Sequence, residues 1–123
     1  MFKKISAVLI WSEDYKKLAQ WYQDILDLEI VEELNHPNDT GILFEIGGVY
    51  LWVGKHDKVK GKSKDFHRIM INIRVDSVRK AYEHLKSKKV KFLARPFKAP
   101  TSETYFATSY DLDDNILQII GSK

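Results

Sequence analysis

The sequence has 123 residues, of which 44% are apolar and 30% charged, with a net charge of +3. This composition is that of a globular domain, and the absence of cysteine excludes disulfides, thiolate metal sites and cysteine nucleophiles. No apolar run is long enough to cross a bilayer, and the first residues lack a signal-peptide pattern, so the sequence predicts a cytoplasmic protein. Aromatic residues do not interleave with the lysine-rich stretches, so we expect neither nucleic acid nor membrane as a partner.

The first half of the chain predicts four strands and one helix. Short apolar or β-branched runs mark the strands at Ile5–Trp11, Leu28–Leu34, Ile42–Ile46 and Val49–Val53. After the first strand, apolar residues recur at helical spacing, namely Leu18, Trp21, Tyr22, Ile25 and Leu26. Ser12 or Asp14 can cap this helix, residues 36–39 form a turn cluster, and Gly47-Gly48 predicts a hairpin turn.

The same order of elements then begins again. Strands are predicted at Arg68–Val75, Val90–Leu93, Tyr105–Tyr110 and Ile116–Ile120, and a helix carries Val78, Ala81, Tyr82 and Leu85. Asp76 is the predicted helix cap, and Pro96 and Pro100 place a polar loop after Leu93. The chain therefore reads β-α-β-β-β twice. This indicates an α+β fold in a single domain, 1–123, with repeat units at about 1–54 and 66–121.

Three segments carry a resemblance to a known superfamily: VLIWSEDYKKLAQWYQDILDLEIV, INIRVDSVRKAYEHLKSKKVKF and the closing YDLDDNILQII. In this order and spacing they resemble the vicinal oxygen chelate superfamily of glyoxalases, bleomycin resistance proteins and extradiol dioxygenases. The resemblance covers essentially the whole chain. It implies that two β-α-β-β-β units form a strongly curved mixed sheet, a cup, with the helices on the outside.

Metal-dependent members of this superfamily hold a divalent ion in the cup. The resemblance implies that its ligands are a His on the first strand and a Glu on the last strand of each unit. In this sequence the His positions fall on Ala7 and Met70, and the Glu positions fall on Trp52 and Gln118. Ala and Trp offer no metal-binding atom, and a thioether and a neutral amide are poor ligands for metals that polarise oxygen. We therefore expect no metal, no cofactor and no catalytic residue inherited from the family.

Strand alternation supports the cup on independent grounds. From Arg68 to Val75 the odd positions are aliphatic and the even positions are Arg, Met, Asn and Arg, and a period of two places these sets on opposite faces. The face turned into the cup mixes aromatic, apolar and polar groups, as ligand pockets do. The predicted ligand-binding residues are Leu9, Trp11, Tyr50, Trp52, Met70, Asn72, Arg74, Ile116 and Gln118.

The leading hypothesis is a metal-independent protein that binds and sequesters a small molecule, as antibiotic-resistance members of the superfamily do. The basic charge favours a neutral or anionic aromatic compound over a cation. Two alternatives stay open. One is a glyoxalase- or dioxygenase-like enzyme that uses shifted residues such as His67, or no metal, and the other is an interaction module without chemistry. We expect a homodimer, since family members commonly pair and two-fold dimers are the commonest assembly.

Overall fold

The computed structural model describes all residues, 1–123, and contains eight strands and two helices. In chain order they are β1 (Ala7–Ser12), α1 (Tyr15–Leu26), β2 (Ile30–His36), β3 (Asp39–Ile46), β4 (Val49–Lys55), β5 (Met70–Ser77), α2 (Val78–Ser87), β6 (Phe92–Lys98), β7 (Tyr105–Tyr110) and β8 (Ile116–Ser122). This confirms the α+β fold of two β-α-β-β-β repeats. Two compact units, Met1–Gly61 and Lys62–Lys123, contain one repeat each. Neither α1 nor α2 has the length and hydropathy that a membrane-spanning helix needs.

The first unit is a four-stranded sheet in the order β1-β4-β3-β2, with α1 packed on one face. β1 runs parallel to β4, and the other neighbouring strands are antiparallel. Alternation turns Phe44 and Val53 toward the helix, where Leu18 and Tyr22 of α1 are also buried. All four side chains are almost completely removed from water, so the apolar core of this unit lies between sheet and helix.

Local chemistry sets the ends of these elements. The Asp14 carboxylate accepts a hydrogen bond from the Lys17 N–H at 3.3 Å, so Asp14 caps α1 as predicted. Ser12 instead accepts a hydrogen bond from the Asp14 N–H at 3.2 Å. Gly47 and Gly48 have φ angles of 58° and 83°, the left-handed values that a type I′ hairpin requires. The predicted turn between β3 and β4 is therefore confirmed.

The second unit repeats this plan with the strand order β5-β8-β7-β6, and α2 packs on its sheet. β5 runs parallel to β8, and its register places Ile71 opposite Leu117 and Ile73 opposite Ile119. These aliphatic residues share the face that α2 covers. Leu117 and Ile119 are buried there, and α2 buries Val78 and Leu85 where it contacts the sheet. The even-numbered residues of β5 consequently lie on the other face, as the sequence predicts.

The turn before β8 is built on one buried carboxylate. Oδ1 of Asp111 accepts hydrogen bonds from the N–H groups of Asp113 and Asn115 at 2.8 and 3.0 Å. The side-chain amide of Asn115 donates to Oδ2 of Asp111 at 3.0 Å. The turn thereby fixes where β8 begins. Because alternation starts from that point, it also decides that Gln118 lies on the face away from α2.

The cap of α2 differs from the sequence prediction. Asp76 is not the cap, because α2 begins at Val78 and Ser77 is the residue directly before it. The hydroxyl of Ser77 accepts the hydrogen bond of the Lys80 N–H at 3.2 Å. Both residue types favour the cap position, and the start of α2 at Val78 decides between them.

The extent of β6 also differs from the prediction of a polar loop after Leu93. The strand continues through Pro96 to Lys98. Proline is tolerated there because β6 is an edge strand and its register against β7 shifts between Ala94 and Phe97.

Replacing Ser77 by Ala should lower the free energy of unfolding by about 0.5–2 kcal/mol, because α2 loses its cap. Asp76→Ala should cost less, since the Asp76 side chain is not the one that caps the helix. Chemical denaturation of both variants measures the difference. An equal or larger loss in Asp76→Ala would contradict this assignment of the cap.

Candidate functional site

Four of the predicted ligand-binding residues lie in the first unit, on the face of the sheet turned away from α1. They are Leu9, Trp11, Tyr50 and Trp52. The parallel register of β1 and β4 places Leu9 opposite Trp52. Leu9, Trp11 and Tyr50 are 53%, 37% and 44% exposed, whereas Trp52 is 8% exposed. Large apolar groups grouped in this way are typical of an interaction site.

The Trp52 indole is buried over a pair of glycines. Gly41 of β3 and Gly54 of β4 are register partners. A methyl group added at Gly41 would lie 2.5 Å from Cζ2 of Trp52, and one added at Gly54 would overlap Nε1 of the same ring. The indole therefore occupies the space in which any other residue at either position would place its Cβ. The two glycines form a floor that lets a tryptophan lie along the sheet.

Trp11 borders a cavity at the end of the same sheet. Its ring meets the His56 ring edge-on, with the centroids 5.3 Å apart and the planes at 72°. The cavity has a volume of ≈ 750 Å³. Sites for small molecules measure roughly 300–1,000 Å³. The residues that line the cavity are Trp11, Tyr15, Lys16, Asn35, Pro37, Asn38, Asp39, Thr40, Lys55, His56 and Asp57.

Of the predicted residues, Trp11 alone lines this cavity. Sequence analysis did not assign Tyr15, Lys16 or His56 to a site. The order of the elements does indicate where such a site can form. β1 ends just before α1, β4 runs parallel to β1, and the turn at 36–39 joins β2 to β3. All these ends consequently meet at one end of the sheet.

The other predicted residues lie in the second unit, on the face of its sheet away from α2. Met70, Asn72 and Arg74 alternate along β5, opposite Ile116, Gln118 and Ile120 of β8. Asn72 and Arg74 are exposed, Met70 is 41% exposed, and Gln118 is half-buried. Ile116 is 1% exposed, so it contributes to the floor of this face and not to its open surface.

A hydrogen bond explains why an amide interrupts the apolar strand β8. Nε2 of Gln118 donates to Oγ1 of Thr108 at 3.1 Å. Thr108, its register partner on β7, is 4% exposed, and a buried hydroxyl without a partner would be costly. On the other side Gln118 lies opposite Asn72. A polar row of Asn72, Gln118 and Thr108 thus crosses three strands.

The divalent metal that the resemblance implies does not fit these residues. Trp52 and Gln118, at the two Glu positions, lie opposite Leu9 and Asn72, and none of these side chains is an imidazole or a carboxylate. No group of three or more His, Cys, Asp or Glu side chains in the chain is placed to hold a metal ion. Neutral amides and a hydroxyl suit hydrogen bonding to a ligand better than metal coordination.

Comparison with known proteins supports the fold. The family model described as Glyoxalase/Bleomycin resistance protein/Dioxygenase superfamily matches residues 4–119. A comparison with curated protein sequences gave no match.

Solved structures of similar fold include three from different bacteria. A member of the glyoxalase/bleomycin resistance protein/dioxygenase superfamily from Sphaerobacter thermophilus is 17% identical, with a TM-score of 0.80 over 98% of each chain. The fosfomycin resistance protein FosX from Listeria monocytogenes is 17% identical, with a TM-score of 0.77 over 100% of this chain and 96% of its own. A lactoylglutathione lyase from Agrobacterium tumefaciens is 14% identical, with a TM-score of 0.73 over 96% of this chain and 92% of its own. At these identities the likeness concerns the fold alone.

Replacing Gly54 by Ala should lower the free energy of unfolding by roughly 1–3 kcal/mol, because the added methyl group overpacks the space that the Trp52 indole fills. In a Trp52→Ala background the same replacement should cost less, since the main obstacle is gone. A double-mutant cycle in chemical denaturation measures this coupling. An unchanged cost in the double variant would show that the indole does not lie over Gly54.

Proposed function

The chain belongs to the glyoxalase/bleomycin resistance protein/dioxygenase superfamily, and we propose that it binds a small molecule without the help of a metal ion. The proposed ligand is a neutral or anionic aromatic compound. Its capture is the function, and no bond is made or broken. Trp11 is proposed as a ligand contact in the cavity at the end of the first sheet. The other predicted residues are proposed as contacts on the helix-free face of their own sheet.

The observation that carries this proposal is the cavity beside Trp11. Its volume of ≈ 750 Å³ suits a drug-sized molecule. The indole of Trp11 is 37% exposed and its orientation is supported by the edge of the His56 ring. An exposed ring held in place at a cavity can stack on a planar ligand without a large loss of side-chain entropy.

Metal independence is supported by the donor set. Tryptophan stands at one Glu position, and its indole Nε1–H is only a donor. Gln118 stands at the other and already bonds Thr108. His67, the residue through which an atypical metal site could form, is exposed, and its ring lies against Phe66 with the centroids 4.6 Å apart. These surroundings favour binding over metal-assisted chemistry.

The charge of the ligand is inferred from the chain as a whole. Two lysines and two aspartates line the cavity, namely Lys16, Lys55, Asp39 and Asp57, so it does not by itself require a charged ligand. The net charge of +3 disfavours a cation through long-range repulsion. A neutral or anionic ligand is consistent with both features.

Binding of 2-naphthamide, a neutral planar probe, tests the proposal by isothermal titration calorimetry. The Trp11→Leu variant should bind it about twofold to tenfold more weakly, because one aromatic contact is worth about 0.5–1.5 kcal/mol. Trp21→Leu is the matched control, since Trp21 lies on α1 and packs edge-on against Tyr22. Equal weakening in both variants, or no binding to the wild type, would contradict the proposal.

Elemental analysis of protein purified without a metal-binding tag should find no stoichiometric transition metal. Gln118→Glu should not change this result, because one carboxylate without an imidazole cannot hold the ion. A stoichiometric metal that disappears on His67→Ala would instead support the enzyme alternative.

A further inference from the structure

The second unit carries an exposed cation without a counter-ion. Arg74 lies on β5, on the face away from α2, and forms no salt bridge. Arg68, by contrast, binds the Asp65 carboxylate through Nε at 2.7 Å. The acid nearest to Arg74 along the same face is Asp76, two residues further on, and it does not pair with it. The guanidinium therefore remains available for an external anion.

An apolar platform extends from Arg74 across the sheet. The register places Arg74 opposite Ile120, Ile120 opposite Phe106, and Phe106 opposite Phe97. The two phenyl rings are stacked, with the centroids 5.6 Å apart and the planes at 24°. Phe97 is 42% exposed, whereas Ile120 and Phe106 are half-buried and partly accessible to a ligand. Aromatic faces of this kind bind other planar rings.

The polar row of Asn72, Gln118 and Thr108 runs alongside this platform. Asn72 precedes Arg74 by two residues on β5, and Gln118 precedes Ile120 by two residues on β8, so each pair shares the same face. The Gln118 amide keeps its carbonyl oxygen and one N–H after bonding Thr108. Hydrogen-bonding groups thus lie beside the guanidinium, and apolar rings lie beyond it.

We propose that this face of the second sheet binds an aromatic carboxylate. The Arg74 guanidinium pairs with the carboxylate of the ligand, and the amides of Asn72 and Gln118 donate hydrogen bonds to the same carboxylate. The aromatic ring of the ligand lies over Ile120 and Phe106. This inference rests on the proposed function and adds the charged group that the ligand carries. The planar fork of a guanidinium matches a carboxylate in geometry.

Size and charge both point to this class of ligand. Neighbouring strands are about 4.8 Å apart, so Arg74 and Phe106, two strands apart, are separated by roughly 10 Å at the backbone. A bicyclic aromatic acid spans that interval. A single unpaired guanidinium balances one negative charge, which favours a carboxylate over a doubly charged phosphate.

The test compares 2-naphthoate with 2-naphthamide, which are similar in shape and differ in charge. The wild type should bind naphthoate roughly twofold to fivefold more tightly, the range for an ion pair that involves an exposed side chain. This preference should shrink in high salt, because exposed charges are screened. Arg74→Gln should abolish the preference by lowering the affinity for naphthoate to that for naphthamide. Phe97→Leu should weaken both ligands to the same extent.

Arg68→Gln is the matched control, since it removes an exposed arginine that already has a partner, and it should leave both affinities unchanged. Equal binding of the two probes by the wild type, or a preference that survives Arg74→Gln, would overturn the inference while the proposed function stands. Failure of both probes to bind the wild type would overturn the proposed function and this inference together.

Discussion

Each four-stranded sheet of this protein has one helix, and a helix can cover only one of the two faces of a sheet. The covered face has to be apolar throughout, because Phe44 and Val53 in the first unit and Leu117 and Ile119 in the second supply the core. The opposite face is free of that requirement. The two sheets differ in the composition of this face. The first carries indole, phenol and aliphatic groups, whereas the second carries amides, a hydroxyl and a guanidinium.

The residues at the family's two Glu positions each make specific contacts with side chains or glycines on the neighbouring strands. Trp52 fits only because Gly41 and Gly54 leave the sheet bare beneath its ring. Gln118 satisfies the buried hydroxyl of Thr108 on the next strand. In each unit the replaced residue and its neighbours on adjacent strands form one arrangement. Conversion of a single residue back to a carboxylate would therefore disturb packing or hydrogen bonding before it created a metal ligand.

Much of the fold could be predicted from the sequence, because periodicity reports directly on which side of an element is covered. The alternation of β5 and the apolar spacing of α1 are local patterns. The helix forms as expected, and β5 forms with the expected alternation but two residues later, at Met70–Ser77. The predicted cap of α2 was wrong because Asp76 and Ser77 are neighbours, and both residue types favour the position that caps a helix. The predicted end of β6 was wrong because proline usually ends a strand. Pro96 is accepted here because β6 lies at the edge of the sheet, and a local sequence pattern does not report that position.

The candidate site was predictable only in part, for a physical reason. Alternation assigns residues to a face, so the grouping of Leu9 with Trp52, or of Asn72 with Gln118, follows from pairing of parallel strands. A cavity is a property of where several elements end. The cavity beside Trp11 depends on the lengths of β1 and β4, the start of α1 and the turn between β2 and β3. Burial of Trp52 likewise depends on Gly41, which lies on another strand.

The path of β6 through Pro96 has a consequence for how this chain behaves at high concentration. An edge strand presents unpaired N–H and C=O groups that can template another strand, which is a common route to aggregation. Pro96 has no N–H to donate, and the register shift beside it makes the edge strand irregular. Exposed cationic side chains at Arg95 and Lys98 flank the interruption. Strand-by-strand growth from this edge is consequently disfavoured, although Leu93 and Phe97 of β6 are exposed.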